Sequence, residues 1–162
     1  RRQRQMCIRD SSLHGHTDII AKKIAGYFRA HKEKLIDTAD RGDVVSWNVS
    51  AHHPEVQLPA KLEAPKYDPK KYDLVIIGTP IWDNATPGTP AVIEYAKKHT
   101  FPGKVAFFAT CGASEQIAFK ELQKLTGKKP LATMDIQDRD VQLKRYSEQI
   151  KAFCSEVKRK MR

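Results

Sequence analysis

The chain has 162 residues, a formal net charge of +10, 40% hydrophobic residues and 8% aromatic residues. This length suits one domain with a real core and is too short for two ordinary domains. The apolar residues gather into short runs such as LVIIG, which argues against a disordered chain. No run approaches the roughly 20 apolar residues that a membrane-spanning helix needs, so we expect one globular domain without membrane insertion.

The charge and the cysteines narrow the class of protein further. A basic chain is compatible with nucleic-acid or membrane binding, but these lysines are dispersed and no aromatic residues interleave them. That pattern favours a solvated lysine surface, and we expect no nucleic-acid partner. Cys7, Cys111 and Cys154 form neither a paired-thiol motif nor a metal-ligand spacing, so we expect a reducing, cytoplasmic location.

The first half of the chain contains one clear helix. Ile20, Ile24 and Phe28 recur at helical spacing after the segment SSLHGHT, which predicts an amphipathic helix capped by Thr17 or Asp18. A short strand is predicted around residues 35–36. Residues 40–69 are rich in proline and are predicted to be irregular, with VVSWNV and VQL as candidate edge strands.

The second half alternates buried strands with helices. Apolar, β-branched runs predict strands at residues 72–78 (YDLVIIG), 104–110 (KVAFFAT) and 131–136 (LATMDI). Helical spacing predicts helices at residues 89–98, at 114–125 with an end at Gly127, and at 141–160 with one apolar stripe of Leu143, Tyr146, Ile150, Phe153 and Val157. This alternation predicts a doubly wound α/β fold with a parallel sheet covered on both faces.

Three segments are predicted to share the carboxyl edge of that sheet, where such folds bind ligands. They are SSLHGHT, the loop TPIWDNATPG and the loop TCGAS. SSLHGHT combines hydroxyls, a glycine and a helix start, an arrangement that favours phosphate binding. It lacks the lysine of the GxxxxGK[ST] motif, so a nucleoside triphosphate is not expected.

Together, YDLVIIGTPIW, GKVAFFATCGAS and SSLHGHT resemble the flavodoxin-like family of FMN-binding proteins. The first loop is similar to that family's S-x-T-G-x-T phosphate loop, with His14 in place of the usual threonine and His16 where asparagine is common. The resemblance runs from Ser11 to the last helix and weakens between Asp37 and Lys66. It implies a three-layer sandwich whose five parallel strands have the order 2-1-3-4-5, with FMN as the cofactor.

The resemblance also implies the cofactor-binding residues. The FMN phosphate would be surrounded by Ser12, Leu13, His14, Gly15, His16 and Thr17. The loop beside the isoalloxazine ring would contain Thr79, Pro80, Ile81, Trp82, Asp83 and Asn84. The loop on the pyrimidine side would contain Thr110, Cys111, Gly112 and Ala113. No catalytic residue and no metal ligand is implied.

Four of these positions keep an alternative interpretation. His14 and His16 could be zinc ligands, although the sequence offers no evident third ligand. Trp82 supplies the flat apolar partner that a flavin ring needs, or it is an ordinary packed core residue. Cys111 is a small loop residue or a redox thiol, and we favour the former.

Three functions follow from the resemblance. The first is an FMN-binding electron-transfer protein that serves a redox partner protein. The second is an NAD(P)H-dependent FMN reductase or quinone oxidoreductase, and the third is a fold member that has lost flavin and serves as an interaction module. Fold alone does not separate them.

The segment RRQRQMCIRD conflicts with this assignment. In a 2-1-3-4-5 sheet the strand before the phosphate loop is central, and unpaired Arg9 and Asp10 would be costly to bury there. We therefore expect the first strand to be replaced or degraded. The segment back-translates, with permissible codons, to a transposon adapter used in sequencing-library preparation, so we interpret residues 1–10 as non-native and residues 11–162 as the domain.

Overall fold

The computed structural model of the protein describes residues 5–11, 15–38, 60–81, 90–112 and 117–162. Its strands form one parallel sheet with the order β2-β1-β3-β4-β5, which confirms the predicted 2-1-3-4-5 order and the doubly wound α/β class. The strands are β1 (Met6–Asp10), β2 (His31–Lys34), β3 (Leu74–Ile81), β4 (Lys104–Cys111) and β5 (Thr133–Gln137).

Helices cover both faces of this sheet. The described residues form α1 (His16–Phe28), α2 (Pro90–Lys98), α3 (Ile117–Thr126), α4 (Asp138–Gln142) and α5 (Ser147–Lys160), with a short 3-10 helix at Pro69–Lys71. The helices α1, α4 and α5 pack on the face that carries Ile8, Ile76 and Phe108. The helices α2 and α3 pack on the opposite face, against Val75, Ile77 and Phe107. None of these helices has the length and apolar character needed to cross a bilayer.

The strand β3 is the apolar centre of the sheet, and all eight of its residues are buried. Successive side chains point to opposite faces, so the strand contributes to both halves of the core. At Gly78 a Cβ atom would lie 2.1 Å from the ring of Phe108 on the neighbouring strand. A larger residue there would force the buried Phe108 ring to move.

The strand β1 corrects our expectation for the first ten residues. Met6–Asp10 pairs in parallel with both β2 and β3, and Arg9 and Asp10 are each 0% exposed. The segment that we expected to be unfit for the central position occupies it. The physical reason is that both charges, which point to opposite faces, meet partners that the sequence alone did not reveal.

Arg9 lies on the α2 face of the sheet. Its guanidinium forms an ion pair with Glu33 and donates a hydrogen bond to the Tyr67 carbonyl oxygen. The guanidinium carbon also lies 5.3 Å from the ring centroid of Tyr95 and 5.9 Å from that of Tyr67, within the range of cation–π attraction. Ion pairing and aromatic contact both reduce the cost of removing this charge from water.

Asp10 lies on the opposite face, next to α1. Its Oδ1 atom is 3.0 Å from Lys32 Nζ, and Lys32 Nζ is 2.5 Å from Asp18 Oδ1. Burial raises the pKa of Asp10, and the attraction of Lys32 opposes that rise only in part. Burial by itself would lower the pKa of Lys32, but the two aspartates outweigh it and the pKa is raised.

Two predicted boundaries in the first half are wrong. The helix α1 begins at His16 with Gly15 as its N-cap and has no side-chain cap hydrogen bond. The Thr17 hydroxyl contacts Thr110 on β4, and the Asp18 carboxylate pairs with Lys32 on β2. The strand β2 lies at His31–Lys34, before the predicted residues 35–36. The candidate edge strands VVSWNV and VQL lie outside the described residues.

The predicted final helix is two helices. The helices α4 and α5 are separated by Lys144, whose φ of 56° cannot continue an α-helix. Tyr146, Ile150, Phe153 and Val157 form the predicted buried stripe, whereas Leu143 is 47% exposed. The strand β3 runs three residues past the predicted end, and α3 ends before Gly127 as predicted.

Candidate functional site

The carboxyl ends of four neighbouring strands lie at one edge of the sheet. Their register pairs Asp10 with Gly78, Ile81 with Cys111, and Cys111 with Gln137. Beyond β1, the Ser11 amide donates to the Gly78 carbonyl oxygen at 3.4 Å and keeps the chain next to β3. We call this end of the sheet the carboxyl edge.

The start of α1 lies at this edge. Gly15 has φ 85° and ψ −11°, a left-handed conformation that glycine adopts without steric cost. The amides of the first helical turn have no acceptor within the helix, and the helix dipole places partial positive charge there. A Cβ atom added at Gly15 would meet no atom within 4 Å, so the glycine is required by its backbone conformation.

A hydrogen bond connects this helix start to β4. Thr17 Oγ1 lies 2.8 Å from Thr110 Oγ1, and the two side chains are 1% and 2% exposed respectively. Two residues predicted to belong to separate cofactor loops are therefore in direct contact. Each hydroxyl already has a partner in the protein, so the Thr17 side chain acts first as a structural link.

A second contact connects the helix start to the end of β5. His16 Nδ1 lies 2.8 Å from Asp138 Oδ1. Asp138 was not among the predicted site residues. It follows β5 directly, and its place after the third predicted strand on the shared edge is the sequence signal that could have identified it.

The ends of β3 and β4 differ from the predicted loops. Thr79, Pro80 and Ile81 are buried residues of β3, and Thr79 Oγ1 donates to the Pro80 carbonyl oxygen at 3.0 Å. These three residues, which the family resemblance assigned to the loop beside the flavin ring, therefore belong to the strand. Gly112 is exposed and is the first residue after β4.

Cys111 is the last residue of β4 and is 0% exposed. Its Sγ atom lies 3.9 Å from the Ile136 carbonyl oxygen, and the side chain belongs to the buried core. Burial raises the pKa of Cys154 to about 12 and also raises that of Cys7. At neutral pH these two cysteines are therefore buried thiols.

The remaining predicted site residues lie outside the described residues: Ser12, Leu13, His14, Trp82, Asp83, Asn84 and Ala113. Within the part of the chain that the structure describes, no group of three or more His, Cys, Asp or Glu side chains could hold a metal ion.

The two carboxylates near the start of α1, those of Asp10 and Asp18, are paired with lysines. Burial works to raise the pKa of Asp18, but hydrogen bonds from Lys22 and Lys32 hold that pKa below its ordinary value. Asp10 shares Lys32 with Asp18. An anion at the start of α1 would therefore meet favourable amides, but also a buried carboxyl at the end of β1.

Comparison with protein-family models and with curated proteins finds no match. Comparison with solved structures finds similar folds over nearly the whole chain. A candidate flavoprotein from Bacteroides eggerthii has a TM-score of 0.70 at 17% identity, with 95% of this chain and 98% of that chain covered. A candidate flavoprotein from Bacteroides uniformis has a TM-score of 0.70 at 21% identity, with 90% and 100% covered.

A third similar structure contains a cofactor. The flavoprotein from Lactobacillus acidophilus in complex with FMN has a TM-score of 0.67 at 19% identity, with 89% of this chain and 99% of that chain covered. Together with the strand order, these similarities show that the chain has the flavodoxin-like fold.

Proposed function

We propose that this chain, with its flavodoxin-like fold, binds FMN at the carboxyl edge and transfers electrons to a redox partner protein. The observation that carries the proposal is the Thr17–Thr110 hydrogen bond. It joins the anion-favouring start of α1 to the end of β4, at the edge where doubly wound sheets bind their ligands. The three similar flavoproteins, one of them an FMN complex, support the choice of cofactor.

The described residues fit the phosphate end of FMN. Gly15 permits close approach of the backbone, and the amides of the first turn of α1 are suitable donors to a phosphate. The contact with Asp138 orients the His16 ring and leaves Nε2 as the nitrogen for a ligand. The Asp10 carboxyl opposes a phosphate, and its ion pair with Lys32 reduces that opposition.

The ring end of the site rests on the family resemblance. The exposed Gly112 after β4 fits a backbone contact with the flavin, and Trp82 is proposed to stack on the ring. When bound, the flavin supplies the redox chemistry, while the protein supplies binding, orientation and electrostatics. No acid or base of this chain is assigned to the reaction. Because none of the three cysteines forms a disulfide, we also propose a cytoplasmic location.

The test of the phosphate site compares FMN with riboflavin, which lacks the phosphate. Ser12→Ala is expected to weaken FMN binding much more than riboflavin binding, since a hydrogen bond to a charged group is worth about 1.5–3 kcal/mol. Thr100→Ala, at an exposed threonine after α2, is the control. Equal losses for both flavins in folded protein, confirmed by circular dichroism, would contradict the assignment.

The test of the ring site uses the two tryptophans. Trp82→Ala is expected to lower FMN affinity by about 1–3 kcal/mol, the scale of stacking on a planar ring, and to remove most fluorescence quenching by FMN. Trp47→Ala should change neither. Equal behaviour of the two variants would contradict stacking. Catalytic turnover of NAD(P)H by the FMN-loaded protein would instead assign it as a reductase.

A further inference from the structure

A basic groove lies at the opposite end of the sheet from the proposed flavin site. Asp73 immediately precedes β3, Lys104 begins β4 and Leu131 precedes β5, so the groove lies at the amino ends of these parallel strands. Its volume is about 850 Å³. Eight residues of β3 separate the two edges, a distance of roughly 25 Å at the usual strand rise. We call it the amino-edge groove.

Among the described residues, five lysines and one carboxylate line the amino-edge groove. The lysines come from three separate segments: Lys70 and Lys71, Lys104, and Lys128 and Lys129. The carboxylate, Asp73, accepts a hydrogen bond from the Gln5 amide at 2.9 Å. Tertiary folding therefore concentrates lysines that are dispersed in the sequence, and the groove is suited to an anionic ligand.

The groove is not purely ionic. Exposed Pro102 and half-buried Leu131 contribute apolar surface between the lysines, and Val105 lies buried beneath them. Among the lining residues that the structure describes, the one aromatic ring is that of Tyr72, which is 8% exposed and whose hydroxyl contacts His31 Nδ1 at 2.8 Å. This described lining offers a nucleic acid no exposed ring on which to stack a base, whereas a peptide with acidic and apolar side chains would use both kinds of surface.

We propose that the amino-edge groove docks an acidic segment of a partner protein, in which acidic residues flank apolar ones. The lysines provide charge complementarity and the apolar surface provides burial. This site is independent of the proposed flavin site and lies at the opposite edge. A partner held there leaves the carboxyl edge accessible to a second protein.

The experiment measures binding of a fluorescein-labelled peptide, Glu-Glu-Leu-Glu-Glu-Leu-Glu-Glu, by fluorescence anisotropy at low and at physiological salt. The groove variant carries Lys70→Glu, Lys71→Glu, Lys128→Glu and Lys129→Glu. The matched control carries Lys23→Glu, Lys120→Glu, Lys124→Glu and Lys151→Glu at exposed positions, which makes the same change in net charge elsewhere. Circular dichroism checks that both variants fold.

We expect the parent and the control to bind within about threefold of each other, and the groove variant to lose at least about tenfold affinity at low salt. Amide NMR shifts should move near Gly103 and Leu131 and not near Gly112. Absence of peptide binding, equal losses in both variants, or displacement of the peptide by single-stranded DNA or polyphosphate at lower concentration would each overturn the proposal. A variant that fails to fold is replaced by the four Lys→Gln changes, judged by the same criteria.

Discussion

The two central strands β1 and β3 reach burial by different routes. Every residue of β3 is buried, and the limit on its sequence is volume, as the Gly78–Phe108 contact shows. Its neighbour β1 buries an arginine and an aspartate, and the limit there is whether each charge has a partner. A position buried in a parallel sheet thus accepts a charge when adjacent elements supply a counter-charge, at a cost that an apolar strand does not have.

The largest expected effect comes from removing the partner of Arg9. Glu33→Gln should lower the free energy of unfolding by about 3–5 kcal/mol, because it leaves a buried guanidinium without its counter-charge. The Glu33 carboxylate also accepts hydrogen bonds from the amides of Lys66 and Tyr67. Urea unfolding measures the loss, and Glu63→Gln at an exposed site is the control. A change below 1 kcal/mol would show that Arg9 does not depend on Glu33.

The opposite change should stabilise the protein. Arg9→Met with Asp10→Val makes β1 resemble β3, and we expect a gain of about 1–4 kcal/mol in the free energy of unfolding. The former partners keep other contacts: the Glu33 carboxylate still accepts hydrogen bonds from two backbone amides, and Lys32 still pairs with Asp18. A lower free energy of unfolding in urea would contradict this prediction and show that the two ion pairs stabilise the strand more than apolar packing would.

The same comparison bears on our interpretation of residues 1–10 as translated adapter. We predict that the native gene encodes a run of Ile, Leu and Val before Ser11, because parallel strands buried on both faces are ordinarily apolar. Sequencing the intact locus tests this prediction. Genomic DNA that encodes RRQRQMCIRD upstream of Ser11 would contradict it.

The volume limit of β3 is tested at Gly78. Gly78→Ala should cost about 1–3 kcal/mol, because the added Cβ would lie 2.1 Å from the Phe108 ring. When Phe108 is already replaced by Leu, the same Gly78→Ala change should cost less stability, because the smaller side chain leaves room for the added Cβ. If the two changes are additive in thermal unfolding, they do not act through this contact.

The smallest expected effect is on the pH dependence of stability. Because the native pKa of Asp10 is raised above 3.8, the native state binds more protons than the unfolded state, so this residue's contribution falls as pH rises through that window. Asp10→Asn should remove the fall, and its advantage over the parent should grow from about pH 4 upward and then level off. Urea unfolding at stepped pH measures this difference. An advantage that shrinks with rising pH would reverse the sign that we assign.

Most of the architecture could be predicted from local patterns. The runs LVIIG and VAFFAT specify buried parallel strands, and the helical spacing of Ile20 and Ile24 specifies the buried face of α1. The contact between Thr17 and Thr110 agrees with the predicted convergence of two loops. Ser12 and Trp82 lie outside the described residues, so their roles stay predictions.

The sequence by itself determined the fold class, because apolar periodicity is a local property that dictates which faces must be buried. Only the tertiary structure determined which groups the buried charges of β1 pair with. Glu33 and Lys32 lie on β2, more than twenty residues after the β1 charges that they compensate, and Asp138 meets His16 across 122 positions. The lysines of the amino-edge groove are likewise brought together only by folding. Ion pairing depends on distance in space, and no local pattern in the chain encodes that distance.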